Sequence, residues 1–531
     1  MDRSNTHPAD RSITGTDFLQ LDRADAPPGG LAGWLARHIR AAIADGRLPV
    51  GARLPASRVL AEELHVSRGV VTEAYQRLIE DGQLAGRGRA GTRVVAAPAA
   101  LPALAPAGVP AGSSQAGPSA SGGFPALPGI EVFEALRALP SRIDLSPGVP
   151  DLAAFPRTAW LRAERAVLDD LSPASFGYGD PRGAPAFRVA VASWLARNRG
   201  ILVSPEEVIV VAGVAQALAL LAHTLRAAGL TAVAVEDPGS LGARQQLRTW
   251  GLDTPPVPVD AHGLRVADLP ATGAPVVMLT PAHQFPTGVV LGGARRRELW
   301  QWARDGGLII EDDYDAEHRY DRPPVPALRA ALPGQVCYAG SVSKLLAPAL
   351  RVGWMLVPEP HRDTVVAAKR ETDLGNAILP QLVLAELMSS GELERHLRLL
   401  RKRHVRRRDA MIAAVRTHLP GATVHGAAAG LHLTLTFDTS PDLSDTDLAA
   451  SALDRGVKVQ PLSWHRQRPG PPGLVLGYAA SPPSEIETGI ATLAAILPAP
   501  PATRPPPATR PPPATRPPPA TRPPPATRSG S

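Results

Sequence analysis

The spacing of apolar residues changes along this chain and predicts two kinds of domain. Between residues 31 and 82, apolar side chains recur three or four positions apart, which is typical of amphipathic helices. The expected core faces are Trp34, Leu35, His38, Ile39 and Ile43 in the first helix, Val59, Leu60 and Leu64 in the second, and Val70, Val71, Ala74, Tyr75, Leu78 and Ile79 in the third. This pattern predicts a compact block of three helices.

Turn and capping residues define the limits of this block. The second helix is expected to begin at Ser57, Ser67 is placed to cap the third, and Gly82 is placed to end it. The next segment is LAGRGRAGTRVV at 84–95, in which glycines lie between two short apolar ends. This pattern predicts a β-hairpin. Three helices followed by a hairpin indicate a winged helix-turn-helix.

A different pattern begins near residue 130, where continuous apolar runs alternate with helical stretches. The runs are VIVVAG at 208–213, AVAVED at 232–237, VVMLTP at 276–281, GLIIEDD at 307–313 and VCYAGS at 336–341. Such strands predict an α/β domain with a large, mostly parallel sheet covered by helices on both faces. Residues 423–497 predict a smaller α+β subdomain.

Composition separates these domains from three segments that cannot form a packed core. We expect a disordered N-terminus at 1–30, a winged helix-turn-helix at 31–96, an Ala/Pro/Gly linker at 97–130, the α/β domain at 131–497 and a disordered tail at 498–531. The tail repeats PATRPP, for which a spacer is the favoured interpretation and a binding motif the alternative.

Charge is distributed unevenly along the chain. The net charge is +7, of which the tail contributes five arginines and residues 31–95 contribute +4, so that the remainder is slightly acidic. This asymmetry favours a polyanionic partner at the N-terminal block. The single cysteine, Cys337, excludes an intrachain disulfide, and the absence of an apolar leader or spanning run predicts a cytoplasmic protein. We expect no metal site.

The N-terminal block resembles the GntR-type winged helix over about sixty residues, in the pattern RLPVGARLPASRVLAEELHVSRGVV, AYQRL, DGQL and GTRV. In such a fold the third helix enters the major groove of DNA. The resemblance implies DNA contacts from Arg58, Ser67, Arg68, Thr72, Arg87, Gly88 and Arg89, with Arg93 on the same face. Gly69 stands where the family often has a hydroxyl residue. A three-helix protein-interaction module is the alternative.

A candidate reactive lysine lies in the second domain. Lys344, in GSVSKLLAPALRVGW, follows an expected strand within an apolar stretch that has no other charge before Arg351. Desolvation in such a stretch favours the neutral amine that an aldehyde requires. Ser341 and Arg351 have the chemistry to hold a phosphate. An ordinary surface lysine is the alternative.

Two further segments suit the same chemistry. The strand GLIIEDDYDAEHRY ends in Asp312 and Tyr314, and a carboxylate there could keep a pyridine nitrogen protonated. An acidic strand end without function is the alternative. In VVAGVAQAL, Gly213 lies at a strand-to-helix turn, where free N–H groups suit a phosphate.

These motifs, with YGDPRG, VEDPG, TPAHQFPTG and GLHL, resemble fold-type I pyridoxal phosphate enzymes over about 135–495, specifically the aminotransferase-like domain of MocR-type regulators. The resemblance implies Lys344 as the Schiff-base lysine, Asp312 on the pyridine nitrogen and Tyr314 on the ring oxygen. It further implies a phosphate site of Gly213, Val214, Ala215, Ser341, Ser343 and Arg351, with Tyr178 reaching the partner subunit's phosphate and His283 and Gln284 beside the ring.

Four positions depart from the aminotransferase pattern. Ser240 replaces the aromatic residue that stacks on the cofactor, and Gly242 stands where some relatives have arginine. Val475 replaces the arginine that binds a substrate carboxylate, and Phe285 replaces an asparagine. Arg466 is a substitute candidate for the carboxylate contact. Cofactor capture is therefore expected, whereas efficient transamination is not.

The expected function is a dimeric, pyridoxal phosphate-dependent transcriptional regulator that binds operator DNA and senses the cofactor itself or an amino compound. A head-to-tail homodimer is implied by the resemblance. The alternative is an active aminotransferase that carries a DNA-binding module. The basic run RLLRKRHVRRR at 398–408 predicts a helix with a solvated face, or else one that contacts flanking DNA.

Overall fold

The structure is a computed structural model that describes residues 30–45, 47–86, 91–95, 124–320, 325–437 and 443–497. Its N-terminal elements are α1 (Leu31–Ala44), α2 (Ser57–Glu63), α3 (Arg68–Glu80), β1 (Leu84–Gly86) and β2 (Thr92–Val94). Strands β1 and β2 pair antiparallel, with Leu84 opposite Val94. The predicted winged helix-turn-helix is confirmed, but its wing residues Arg87 and Arg89 lie outside the described residues.

The core of the winged helix follows the helical spacing, with one exception. The Ser67 hydroxyl caps α3 by accepting a hydrogen bond from the Val70 N–H at 3.4 Å, as predicted. Leu60 is fully buried, whereas Val59, predicted to face inward, is 46% exposed. Because α2 has only seven residues, Leu60 and Ala61 fill its narrow inner face and Val59 is rotated away from it.

The second domain contains the remaining strands that the structure describes. They are β3 (Ile143–Asp144), β4 (Ile209–Val211), β5 (Val233–Asp237), β6 (Pro256–Asp260), β7 (Gly263–Leu264), β8 (Val276–Leu279), β9 (Leu308–Asp313), β10 (Val336–Ser341), β11 (Gly353–Leu356), β12 (Thr423–His425), β13 (His432–Thr436), β14 (Val457–Lys458), β15 (Gln460–Pro461) and β16 (Gly473–Gly477). The large sheet has the order β4-β11-β10-β9-β8-β5-β6-β7, and its central strands β10, β9, β8, β5 and β6 are parallel. This arrangement confirms the predicted fold class.

Helices cover both faces of this sheet. The helices of the second domain are, in chain order, α4 (Val132–Ala138), α5 (Arg157–Asp170), α6 (Pro185–Arg199), α7 (Val214–Ala227), α8 (Leu241–Thr249), α9 (Gly293–Arg304), α10 (Leu328–Ala331), α11 (Glu359–Asp373), α12 (Ile378–Ser389), α13 (Glu392–His418), α14 (Asp445–Asp454) and α15 (Pro483–Ala494). Of these, α14 packs on strands β14, β15 and β16, and α15 packs on α13. Strand β4 shows why its sequence is apolar throughout: Val210 packs in the core with α6 and α12, while Ile209 and Val211 pack in the core with α7 and α11.

A smaller antiparallel sheet of order β12-β13-β16-β15 forms the C-terminal part of the described chain. Of the helices within the described ranges, none is long and apolar enough to span a membrane. The basic run at 398–408 is helical, as predicted, but the solvated-face interpretation is wrong for part of it. Arg407 is buried, Arg403 and Arg407 both form ion pairs with Asp151, and Arg403 also donates to the Glu80 carbonyl of the winged helix.

Candidate functional site

A cavity of about 920 Å³ opens at the carboxyl ends of β9 and β10. Ligand sites in open α/β sheets are expected at this edge. The predicted residues that line the cavity are Val214, Ala215, Asp312, Tyr314, Ser341, Ser343, Lys344 and Arg351. The fold therefore brings most of the sequence-predicted site together from four separate segments.

Lys344 enters this cavity from the loop after β10. Its ammonium donates a hydrogen bond to the Gly148 carbonyl at 2.5 Å. Burial lowers the pKa of Lys344, although the charges of Asp312 and Asp315 oppose this shift. Gly148 has a φ of +79°, and a Cβ there would lie 3.1 Å from the lysine nitrogen. Burial therefore shifts the protonation equilibrium of Lys344 towards the neutral amine, which is the nucleophilic form.

Asp312 lies across the cavity on strand β9. Burial raises the pKa of its carboxyl to about 7, with a further increase from Asp313 and Asp315 and an opposing effect of Lys344. Its Oδ1 atom is buried without a hydrogen-bond partner among the residues described. A buried carboxylate oxygen without a donor is costly, so this atom suits a cationic N–H group of a ligand.

Strand alternation explains why Asp312, and not its neighbour, lines the cavity. Successive side chains on a strand point to opposite faces. Asp313 therefore lies in the opposite layer, where Arg199 donates to it at 2.5 and 3.1 Å and the Tyr338 hydroxyl donates at 2.6 Å. This buried ion pair fixes the end of β9 and with it the position of Asp312.

The end of the cavity that suits a phosphate group lies at the turn from β4 to α7. Gly213 has a φ of +89°, and an added Cβ would lie 3.3 Å from the Arg351 guanidinium. That guanidinium donates to the Ala212 carbonyl. Val214 and Ala215 are the first residues of α7, where backbone N–H groups lack helical partners. Arginine beside a helix N-terminus forms a favourable site for an anion.

The structure corrects the predicted placement of His283 and Gln284. Neither belongs to the described residues that line the cavity. His283 lies behind Tyr314, with its Nδ1 atom 2.8 Å from an Asp315 carboxylate oxygen and 3.0 Å from the Tyr314 hydroxyl. The amide of Gln284 is used by the loop itself, since it donates to the Pro238 and Phe285 carbonyls. Both residues support the site from behind.

His283, Asp315 and His432 bring ligand-type atoms within 4.8 Å of one another. Each histidine already has a protein partner: His283 contacts Asp315, and the His432 Nε2 atom lies 3.1 Å from the Pro286 carbonyl. We interpret this group as a hydrogen-bonded support for Tyr314.

The four departures from the aminotransferase pattern have different positions. Ser240, Gly242 and Phe285 line the cavity, whereas Val475 is fully buried within β16 and is not among the described residues that line it. The suggestion that Arg466 compensates is not supported by its position. Its guanidinium donates to the Pro471 carbonyl, and it is absent from the cavity lining of the described chain.

Sequence reasoning missed the residues that form the outer wall of the cavity. Phe133 and Arg137 come from α4, just after the linker, and Lys458, Gln460 and His465 come from the C-terminal subdomain. They lie far from the motifs in sequence, and no local signal distinguishes them from core or surface residues. Tyr178, predicted to reach a partner subunit, is 94% exposed, and its role stays a prediction.

The predicted DNA-binding residues that the structure describes are exposed on the winged helix, and two of them, Arg68 and Thr72, line the same cleft. Arg58, Arg68 and Thr72 are exposed, and Arg68 begins α3. The Arg68 Nε atom donates to the Ser57 hydroxyl at 3.5 Å, so that the first turn of α3 is held against α2. Ser67 has its hydroxyl engaged as the helix cap, whereas the exposed Arg68 and Thr72 line this cleft between α3 and α13.

Comparison with known proteins identifies both domains. A model of the aminotransferase class I and II family matches residues 140–493, and a model of the bacterial regulatory proteins of the gntR family matches residues 31–94. The probable rhizopine catabolism regulatory protein MocR of Rhizobium meliloti is 33% identical over 485 residues, which covers 90% of this chain and 95% of that protein.

A second regulator and a solved structure agree with this assignment. The HTH-type pyridoxine biosynthesis transcriptional regulator PdxR of Corynebacterium glutamicum is 31% identical over 456 residues, covering 85% of this chain and 93% of that protein. The crystal structure of Pyrococcus horikoshii kynurenine aminotransferase matches with a TM-score of 0.62 at 26% identity, over 69% of this chain and 92% of that one.

Proposed function

The chain belongs to the aminotransferase class I and II family and is a MocR-type regulator with a gntR-family winged helix, and from this premise we propose that its DNA binding responds to pyridoxal phosphate held at Lys344. The whole-length similarity to MocR and PdxR supports transcription regulation as the function. The identity of the ligand goes beyond that similarity and must be argued from the site.

The unpartnered Oδ1 atom of Asp312 carries this proposal. A buried acceptor that finds no donor in the described protein is expected to receive one from a ligand, and a protonated pyridine nitrogen matches its charge. Lys344 lies in the same cavity with its pKa lowered by burial, as an amine that attacks an aldehyde requires. These two groups together fit pyridoxal phosphate.

The remaining residues of the site would orient the cofactor. Its phosphate would lie at Arg351, Ser341, Ser343 and the start of α7, from Gly213 to Ala215, and Tyr314 would donate to its ring oxygen. When bound, the cofactor supplies an aldehyde and an electron-withdrawing ring. The protein contributes the amine of Lys344, the buried carboxylate of Asp312 and the cavity that holds both.

A sensor explains the site better than an efficient enzyme does. Val475 is buried where an aminotransferase requires an arginine for the substrate carboxylate, and Ser240 provides no aromatic face for the ring. The name of one relative links it to pyridoxine biosynthesis, which favours the cofactor itself as the sensed molecule. An amino compound reaching Lys344 past Phe133 and Arg137 is the second candidate ligand.

We further propose a cytoplasmic homodimer in which the exposed Tyr178 reaches the partner's phosphate site. The linker at 97–130 would let each winged helix pack on either chain, and the domain limits 31–96 and 131–497 remain those expected from the sequence. Arg58, Arg68, Thr72 and the wing arginines Arg87 and Arg89 would contact operator DNA.

The Arg68→Ala variant tests whether the start of α3 contacts DNA. Loss of one cationic contact at the start of α3 is expected to weaken binding to the DNA upstream of the protein's own gene roughly tenfold and to reduce the slope of log affinity against log salt by about 1. Fluorescence anisotropy at several salt concentrations measures both. Arg165→Ala, an exposed change on α5, serves as the control. Unchanged affinity in Arg68→Ala would reject this docking surface.

A further inference from the structure

A continuous line of contacts joins Lys344 to the C-terminal end of the recognition helix α3. It runs from Lys344 to Gly148, along the loop to Asp151, through Arg403 to the Glu80 carbonyl. The line connects the cavity with the winged helix within one chain. An inference from it rests on the proposed function, because it concerns how the Lys344 site acts on DNA binding.

The loop at 146–152 forms both the wall of the cavity and the first part of this line. Its Gly148 carbonyl accepts the hydrogen bond from Lys344, and residues on either side also line the cavity. Pro147 and Pro150 flank the glycine, and proline fixes its own φ. Two φ angles of the loop are therefore fixed, and only Val149 and Pro150 separate Gly148 from Asp151, so the positions of these two residues are closely linked.

Asp151 anchors the far end of the loop to helix α13. Its carboxylate is fully buried and accepts hydrogen bonds from Arg403 at 2.6 Å and from Arg407 at 2.8 Å. Burial makes such contacts sensitive to position, since a buried charge that loses its partner is strongly destabilised. Movement of Asp151 must therefore disturb Arg403.

Arg403 holds the winged helix directly. Its Nη2 atom donates to the Glu80 carbonyl at 2.5 Å, and Arg406 forms an ion pair with the Glu80 side chain. Glu80 is the last residue of α3, where carbonyl groups lack helical partners and the helix dipole is negative. Two arginines thus bind the end of the recognition helix. We call Glu80, Asp151, Arg403 and Arg406 the clasp.

The clasp places the DNA-reading surface of α3 opposite helix α13. A cleft of about 1100 Å³ lies between them, lined by Arg68, Thr72 and Gln76 on α3 and by Arg406, Ala410 and Thr417 on α13. The major groove of B-form DNA is roughly 12 Å wide, and α13 faces the same residues of α3 that would enter it, so α13 and a duplex compete for this face of α3. Contact of α3 with α13 and contact of α3 with DNA are therefore alternatives.

We propose that the clasp is an autoinhibitory contact that bonding of pyridoxal phosphate to Lys344 weakens. If pyridoxal phosphate were held here, its aldehyde would condense with the Lys344 amine, forming a carbon–nitrogen bond and releasing the aldehyde oxygen and two hydrogens as water, so the nitrogen would no longer be a free amine donor. The Gly148 carbonyl would then lose the hydrogen bond that Lys344 donates to it in this structure. The freed loop shifts Asp151, Arg403 releases Glu80, and the surface of α3 opens.

The Arg403→Gln variant of the full chain tests this proposal. Its affinity for the DNA upstream of the protein's own gene is measured by fluorescence anisotropy, with and without pyridoxal phosphate. Without the cofactor, Arg403→Gln is expected to bind DNA more tightly than wild type by about 5- to 150-fold, the usual range of allosteric coupling. The cofactor should then increase the DNA affinity of the variant less than twofold, whereas it should increase the DNA affinity of wild type by the same 5- to 150-fold.

Matched variants separate this inference from the proposed function. Lys402→Gln removes one exposed positive charge from the same helix and should behave as wild type. Arg406→Gln, whose side chain is largely exposed, should shift affinity in the same direction as Arg403→Gln and serves if the latter fails to fold.

Two outcomes overturn the clasp: cofactor-free variants at Arg403 and Arg406 that match Lys402→Gln in affinity, or variants that keep the full cofactor response. If either result is found while the DNA affinity of wild type still changes with the cofactor, the clasp is wrong and the proposed function stands. If wild type shows no cofactor response but both clasp variants bind DNA more tightly, the contact is inhibitory and its link to Lys344 is wrong.

Discussion

Replacing Lys344 with alanine is expected to abolish the visible absorbance that the purified protein acquires with pyridoxal phosphate. Lys344 is the buried amine within the cavity that also holds Asp312 and Arg351, and its pKa is lowered by that burial. Without this amine the aldehyde has no covalent partner in the site. The absorbance spectrum, and the mass after borohydride reduction, measure the loss.

Matched substitutions make this result specific. Lys402→Ala removes an exposed lysine and should leave both the absorbance and the borohydride-trapped mass unchanged. Arg68→Ala should also bind cofactor normally, since Arg68 lies on the winged helix. Cofactor still trapped by borohydride in Lys344→Ala, at wild-type stoichiometry, would show that another lysine is the covalent residue.

The second large effect is expected at Asp312. Truncation of one partner in a buried, hydrogen-bonded charge pair costs about 2–5 kcal/mol, so Asp312→Ala should weaken pyridoxal phosphate binding roughly 30- to 4000-fold. Equilibrium dialysis measures the affinity. Asp312→Glu, which keeps the carboxylate, should recover part of it. Wild-type affinity in Asp312→Ala would mean that the ring nitrogen does not meet this residue.

The stability of the cofactor-free protein should also depend on pH through the carboxyl of Asp312. Burial raises the pKa of this carboxyl from 3.8 to about 7, so the folded protein holds a proton that the unfolded chain releases. The contribution of this proton to the free energy of unfolding is fully present below about pH 4 and is lost as pH rises through 7. Relative to Asp312→Asn, the wild-type free energy of unfolding should fall over this range by at most ~1.4 kcal/mol per pH unit. Parallel curves for the two proteins would contradict this assignment.

The sequence was sufficient for the elements whose pattern is set by local chemistry. Strand β10 begins and ends where its apolar run does, and Ser67 caps α3 as its position before the helical spacing predicts. Asp312, Lys344 and Arg351 meet in one cavity because each follows from a motif at the end of a strand or in the adjoining loop. Such positions are determined by short segments.

Other features depend on packing between distant segments and leave no local signal. His283 was expected beside the ring, but Asp315 holds it behind Tyr314. Arg403 and Arg407 looked like solvated residues of a basic run until the fold placed Asp151, about 250 positions away, against them. The contact that joins the two domains could therefore be found only in the structure.

The most direct test of a cofactor-responsive regulator compares two proteins on one DNA fragment. Affinity for the DNA upstream of the protein's own gene is measured by anisotropy, with and without pyridoxal phosphate, for wild type and for Lys344→Ala. The cofactor is expected to tighten wild-type binding at least about fivefold and to leave Lys344→Ala unchanged. An identical DNA affinity of wild type with and without the cofactor, under conditions where its absorbance shows full occupancy, would contradict the account.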